Sequence, residues 1–382
     1  MTAGSQTAGP EPGEFEELHD ELRAVARDLL SKIPPPAPAD WGQLAASGWL
    51  GLEVPDAQGG AGATFAETAV ILTELGRAAT SSPYLGAIAG GVGALLELAP
   101  SAGRDELLRQ AAAGEALPVA VLADGSDESI WAEAGGVPFR LERTPGGLRL
   151  RGHAGFVPDA AEASTLLLLA LDAVGEPVIV DRRPGPFAIG LEAQPVLDST
   201  RRLARVTADG AEVPEESVWR FAGDPGAAVG RLLDRAAVAV ACDSLGLSEA
   251  MLSATVAYAG VRQQFGRPIG SFQAVQHACA DLLVQVSVSR ELVRAAVARL
   301  ASRDPEASVA AAMAKAHASA TAVEVAGKAM QLHGGIGYTW ESGIHVYLKR
   351  AALNRSLFGS PAAHRRRLAA RYLGWPGAAG RR

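Results

Sequence analysis

Apolar positions recur every three or four residues in two stretches of the chain, and gather into short runs in the stretch between them. From Glu14 to about Gln110 the pattern is helical: Leu18, Leu22, Val25 and Leu29 mark one face. The Pro34-Pro35-Pro36 run must end that helix, because proline lacks an amide donor and clashes with the preceding turn. Glycines and prolines punctuate GWLGLEVPDAQGGAGATF before helical spacing resumes through Val70, Leu72 and Leu75. Between Leu117 and Trp219 the runs LPVAVLA, GLRLRG, STLLLLAL, PVIVDR and RLARVTADG are separated by Gly, Pro and Asp turns, which predicts strands of an antiparallel sheet or small barrel. After Asp224-Pro225 long helices return; Val275, Ala278, Leu282, Val286, Val293, Ala296 and Leu300 share the face of a bundle helix. The expected boundaries are a helical domain over 1–115, a strand domain over 116–222 and a helical bundle over 223–382.

Length supports that division, since 382 residues suit two or three domains. With 48% hydrophobic and 20% charged residues the chain is built to fold. A net charge of −7 argues against a nucleic-acid binder that works by phosphate neutralisation. Two cysteines, Cys242 and Cys279, cannot build a disulfide framework, so a reduced, cytoplasmic setting is expected. The polar, acidic N-terminus lacks the pattern of a secretory signal. The most apolar run, Leu166–Leu171, is far shorter than the roughly 18 residues of a membrane helix.

Little catalytic chemistry is legible directly. Gly59-Gly60-Ala61-Gly62 and Gly90-Gly91-Val92-Gly93 do not follow strands, so neither is a dinucleotide fingerprint. No histidines show metal spacing, and no G-x-S-x-G elbow is present. Two constellations stand out. Arg262 to Ile269, followed by Ser271-Phe272-Gln273, puts a basic residue and a Gly-Pro turn between two helices. This suits a phosphate-holding corner, or simply a helix C-terminus stabilised by arginine and closed by Gly266. Gln331 to Thr339 carries Gly334, Gly335 and Gly337, which permit close backbone approach to a ligand or serve only as a helix stop.

Taken together, GWLGLEVPDAQGGAG, ELGRAATSSPYLGA, YAGVRQQFGRPIGSFQAVQHACADLL and AMQLHGGIGYTWESGIHVYLKRAA resemble the acyl-CoA dehydrogenase family of flavoproteins over nearly the whole chain. The resemblance implies an α+β fold with an N-terminal helical domain, a middle antiparallel β-barrel and a C-terminal four-helix bundle, assembled as dimers or tetramers. It implies FAD held without a Rossmann fold and partly across a subunit interface. Arg262 and Phe265 would stand near the FAD phosphates and adenosine, with Gln273 following, and Gln331, Gly334 and Gly335 would approach the neighbouring subunit's cofactor. Phe156 would take the place of the family's flavin-facing tryptophan. The family's threonine-glutamate-proline segment is not recognisable; only Gly125-Ser126-Asp127 resembles its end.

The implied reaction is α,β-desaturation of an acyl-CoA or related thioester, within lipid metabolism. A carboxylate takes the Cα proton, the Cβ hydride passes to the flavin, and a further flavin electron acceptor follows. Here the chain departs from the family pattern. The usual glutamate position holds Phe358, and the alternative position holds Ala236. Asp234 matches a position that contacts the CoA portion of the substrate, although Ala237 replaces the arginine three residues on. Phe358 falls in the substrate region. Asp243 is seven residues after Ala236 and about 10 Å along the same helical face, which makes it a candidate for a relocated base or a buried acid satisfied within the bundle. The basic run His364-Arg365-Arg366-Arg367 with Arg371 reads as the solvated end of the last helix, with CoA phosphate contact as its alternative. Three functions follow: a self-sufficient desaturase, a non-catalytic partner subunit completing the FAD sites of a related chain, or a variant acting on a carrier-protein thioester. A homo- or hetero-oligomer is expected.

Overall fold

The computed structural model describes residues 12–124, 136–184 and 189–373. Helices α1 (Pro12–Leu30), α2 (Trp41–Ala46), α3 (Phe65–Ala78), α4 (Gly93–Glu97) and α5 (Ala102–Ala112) form the first layer, with a π-helix over Leu85–Val92 leading into α4. Helix α3 starts in a capping box: the Thr64 hydroxyl accepts from the Ala66 amide, while the Glu67 carboxylate accepts from the Thr64 amide. The buried face of α1 differs from the expected one. Leu18 and Val25 are exposed, while Ala26 and Leu30 are buried and Leu22 and Leu29 pack beside them.

The middle region carries β1 (Pro118–Val121), β2 (Phe139–Thr144), β3 (Gly147–Pro158), β4 (Thr165–Leu171), β5 (Pro177–Arg182), β6 (Gly190–Gln194), β7 (Leu203–Val213) and β8 (Val218–Trp219). Each of the five apolar runs forms a strand, and the strands hydrogen-bond in the order β6-β7-β3-β2-β4-β5-β8. The expected closed antiparallel barrel is not what forms. The two ends of this path, β6 and β8, do not pair, and β4 runs parallel to both β1 and β2. The sheet is therefore mixed and open among the described residues. Gly91 lets the π-helix lie against it, since a Cβ there would sit 1.9 Å from the Pro118 carbonyl oxygen.

Helix α6 (Pro225–Val261) opens the C-terminal part, with Asp224 as its N-cap and Pro225 in its first turn. A short hairpin of β9 (Gln263–Gln264) and β10 (Arg267–Pro268) follows, then α7 (Gln273–Ala301), α8 (Ala307–His333), α9 (Ile344–Ser356) and α10 (Pro361–Leu373). Alanine-rich α8 lies at the centre, packed on α6, α7, α9 and α10. By length and composition α6 could cross a bilayer, but its apolar positions are mostly buried inside the fold. One continuous core joins the N-terminal helices to the bundle, and a second fills the sheet. Helices α3 and α6 cross where a Cβ on Gly246 would lie 1.9 Å from the Thr73 carbonyl oxygen and one on Gly76 2.2 Å from that of Asp243. This crossing buries Asp243 where three parts of the chain meet.

Candidate functional site

The two sequence constellations converge. Arg262 and Gln264, at the end of α6, line a cleft of about 380 Å³ with Gln331, Gly334 and Gly335 from the end of α8. The corner is held locally: the Arg262 amide donates to the Tyr258 carbonyl at 2.9 Å, and the Ile269 amide donates to the Arg262 carbonyl at 2.8 Å. Tyr258 stacks on His333 with ring centroids 4.3 Å apart, and Nδ1 of His333 donates to the Ala329 carbonyl at 2.7 Å. Gly334 has a φ of 63°, and a Cβ on either Gly334 or Gly335 would meet no other atom within 4 Å. The glycines therefore leave open space rather than fit against the chain itself. Among the described residues Arg262 makes no ion pair, so an exposed guanidinium, amide groups and an aromatic stack stand together around the cleft. That donor set suits the phosphates of a nucleotide.

Phe265 and Gln273 do not line this cleft. Phe265 sits at the tip of the β9–β10 hairpin, where it and Gly266 both have positive φ, 52° and 77°. Two such residues make a type I′ turn, which suits Gly but is costly for a bulky aromatic. The ring is 92% exposed, touching Phe272 edge-on at 6.1 Å. Gln273 is exposed in the first turn of α7. Phe156 sits in β3 with a φ of 51°, within the register shift between Ala154 and Val157. Such a bulge re-aims a side chain away from the sheet alternation. Gly125-Ser126-Asp127 lies outside the described residues.

Asp243 belongs to a buried ionic cluster, not to an open site. Its oxygens accept from Nε and Nη2 of Arg350 at 3.0 and 2.5 Å and from the Asn354 amide at 2.6 Å. Arg201 Nη2 lies 2.9 Å from Oδ1 without hydrogen-bond alignment. Arg350 also donates to the Thr80 carbonyl at 2.8 Å and to the Thr200 hydroxyl at 2.9 Å. Burial pushes the Asp243 carboxyl up, but Arg350 and Arg201 outweigh it and hold the group down at about 2. A base must be free to take a proton near neutral pH. This carboxylate is 1% exposed and its oxygens are committed to cations, so the geometry argues against the relocated base and favours a structural tie between domains.

Neither of the two positions that the family resemblance would give to a base can ionise. Ala236 is buried, and Phe358 is half-buried at a φ of 50°. Its turn is fixed from beneath: His364 Nε2 donates to the Phe358 carbonyl at 2.9 Å, and Lys315 Nζ donates to the Gly359 carbonyl at 2.8 Å. Lys315 is fully buried with no carboxylate in ion-pairing range among the described residues, and burial lowers it to about 7. Its folded pKa is below the ordinary 10.5, so the unfolded chain binds more protons between those values and stability rises with pH there. Cys242, pushed by burial from 9.0 to about 12, opposes this only above pH 9. Wild type should thus gain stability between pH 7 and 9, by up to about 1.4 kcal/mol per pH unit, and Lys315→Met should lose that slope in denaturant titrations.

Asp234 also turns inward. It is buried and accepts from Arg367 Nη1 at 2.7 Å, and burial raises its carboxyl despite that arginine. An expected substrate contact is therefore spent on a helix-to-helix tie. The basic run is correspondingly less solvated than expected: His364 is buried and Arg367 half-buried, Arg371 pairs with Glu306 at 2.7 Å, and Arg365 and Arg366 remain exposed. Among the described residues no group of three or more His, Cys, Asp or Glu side chains gathers to hold a metal.

Comparison with known proteins bears on the family and the fold. Residues 16–115 match the family model described as acyl-CoA dehydrogenase, N-terminal domain, and residues 226–373 match acyl-CoA dehydrogenase, C-terminal domain. The acyl-CoA dehydrogenase IpdE2 of Mycolicibacterium smegmatis is 33% identical over 323 residues, 85% of this chain and 84% of that protein. Its namesake in Mycobacterium tuberculosis is 34% identical over 323 residues, 84% of this chain and 82% of that one. Among solved structures, a Tcur3481-Tcur3483 steroid ACAD variant superposes with a TM-score of 0.80 at 27% identity, covering 96% of this chain and 99% of that one. The ChsE4-ChsE5 complex from Mycobacterium tuberculosis gives a TM-score of 0.82 at 23% identity, covering 94% and 98%, which speaks to the fold. The chain belongs to the acyl-CoA dehydrogenase family.

Proposed function

We propose that this acyl-CoA dehydrogenase-type oxidoreductase works as a flavin-holding subunit that relies on a related chain for its proton-abstracting carboxylate. The observation that carries the reading is the locked state of Asp243 combined with Ala236 and Phe358 at the two positions where a base belongs. FAD, when bound, would accept the Cβ hydride of an acyl thioester. Arg262 and the Gly334-Gly335 corner would hold its phosphates, and Phe156 would offer an aromatic face. The exposed Phe265 on its strained turn is the kind of group that a second chain covers. Similarity to the Tcur3481-Tcur3483 and ChsE4-ChsE5 assemblies, each named as two chains, supports the heteromeric form.

The test is to purify the protein alone and with a neighbouring homologue, record the flavin absorption and follow anaerobic bleaching by acyl-CoA. Bleaching by the lone protein would overturn the heteromeric reading in favour of a self-sufficient desaturase. Bleaching only in the mixture supports it. A lone protein that responds only to a carrier-protein thioester would assign the third reading. Within any flavin-loaded assembly, Arg262→Gln should weaken FAD binding by roughly ten- to a hundredfold, as loss of a charge-assisted phosphate contact does. Flavin released on dilution measures it.

A further inference from the structure

A second recess, away from the flavin cleft, lies among α1, α3, α6 and α7. It measures about 580 Å³, within the range of ligand pockets. Its floor is aliphatic, built from Ala66, Val70, Leu245, Val293 and Val297. Its rim carries His19, Arg23, Arg27, Arg290 and Arg294, each paired with a carboxylate: Glu67, Asp20, Glu74, Glu249 and Glu291 respectively.

The rim arginines are oriented in advance. Arg27 spends Nε and Nη2 on Glu74 at 3.0 and 2.7 Å. Arg290 spends the same two atoms on Glu249 at 2.9 and 2.7 Å. Arg294 does so on Glu291 at 3.1 and 2.8 Å. In each guanidinium the pairing leaves Nη1 without a hydrogen-bond partner among the described residues. A fixed guanidinium with one donor unspent loses little entropy on meeting a second anion. The floor excludes a simple inorganic anion as the natural occupant, because such an ion would leave the aliphatic surface wet. The unspent Nη1 donors favour an acceptor-rich, anionic head group over a cationic one.

We propose that this recess is a second ligand site, for an amphipathic carboxylate whose apolar body covers the aliphatic floor and whose carboxylate meets the open edges of the rim arginines. The site is independent of the flavin reading. Cys242 and Leu245 bring the recess to one side of α6, whereas the neighbouring Asp243 is turned to Arg350 on α9.

Isothermal titration of the full chain tests this with decanoate, cholate, decanol and decyltrimethylammonium. Saturable binding at one site per chain is expected for decanoate or cholate, at least tenfold tighter than for decanol, with no binding of the cation. The tighter of the two carboxylates identifies a straight-chain or fused-ring body. Arg294→Gln, an exposed change whose partner Glu291 is also exposed, should weaken binding roughly tenfold. Ala66→Phe should abolish it by filling the recess, with melting temperature checking that the variant folds. Equal binding of decanol, no saturable binding by either carboxylate, or binding that survives both Arg294→Gln and Ala66→Phe would each overturn the proposal. The last outcome would place the ligand elsewhere, including any acyl site of the family reaction.

Discussion

Replacing Arg350 with methionine is expected to lower the unfolding free energy by about 3–5 kcal/mol, the cost of removing one partner from a buried ion pair. The variant would leave Asp243 with Arg201 and Asn354 alone, and would strip donors from the Thr80 carbonyl and the Thr200 hydroxyl. Against a total stability of roughly 5–15 kcal/mol this is a large fraction. Asp243→Asn should cost a comparable amount, because two buried guanidinium groups then lose their anion. The double variant should cost clearly less than the sum, since neither charge is left stranded on the other. Denaturant midpoints at unchanged slope are the measurement. The same series separates a tie from a base: a catalytic Asp243 replaced by Asn would fold normally and lose only turnover. The stabilisation also has a pH signature. Asp243 is held at about 2 against an ordinary 3.8, so its contribution is complete above 3.8 and is lost as pH falls through 2. The Arg350→Met variant should show a smaller acid limb, since Arg201 and Asn354 still hold the carboxylate down.

What could be read from the chain beforehand follows the range of the interactions. The five strand runs and the α3 and α7 faces rest on local spacing, and they form where the spacing places them. On α1 the face is displaced because Ala26, which contributes little to an apolar pattern, is the residue that fits against the core while Val25 points outward. Closure of the sheet depends on whether β6 meets β8 and on parallel pairing of β1 with β4, and nothing local to those segments encodes either. The functional corner divides in the same way. Arg262 and Gly334-Gly335 were visible as separate phosphate-suited corners, yet their meeting in one cleft is tertiary. Asp243 was visible as an acid on the right helix, but Arg350, 107 residues away, decides its protonation. Lys315 gave no signal at all. A lysine in the alanine-rich run MAKAHASA reads as solvent-facing, and only the packed bundle shows it beneath the turn at Phe358.

That turn carries the second large expectation. Phe358→Glu should create acyl-CoA-dependent flavin bleaching in the flavin-loaded protein assayed without the related chain, raising it by roughly 10²–10⁴-fold, the range that a positioned general base contributes. The backbone required is already present. Residue 358 holds a left-handed φ of 50°, its carbonyl is fixed by His364 and the next carbonyl by Lys315, so glutamate would inherit the same strained geometry without a new cost. Phe358→Gln supplies the control, since it matches glutamate in size and polarity but cannot take a proton at neutral pH. Activity in the Glu variant alone would show that the scaffold retains everything except the carboxylate. Activity in both variants would mean that relief of the aromatic ring, not a base, limits the wild type. A flavin-loaded Phe358→Glu protein that, without the related chain, bleaches no faster than wild type would sink the lost-base account, because the turn would then lie out of reach of the substrate's α-carbon.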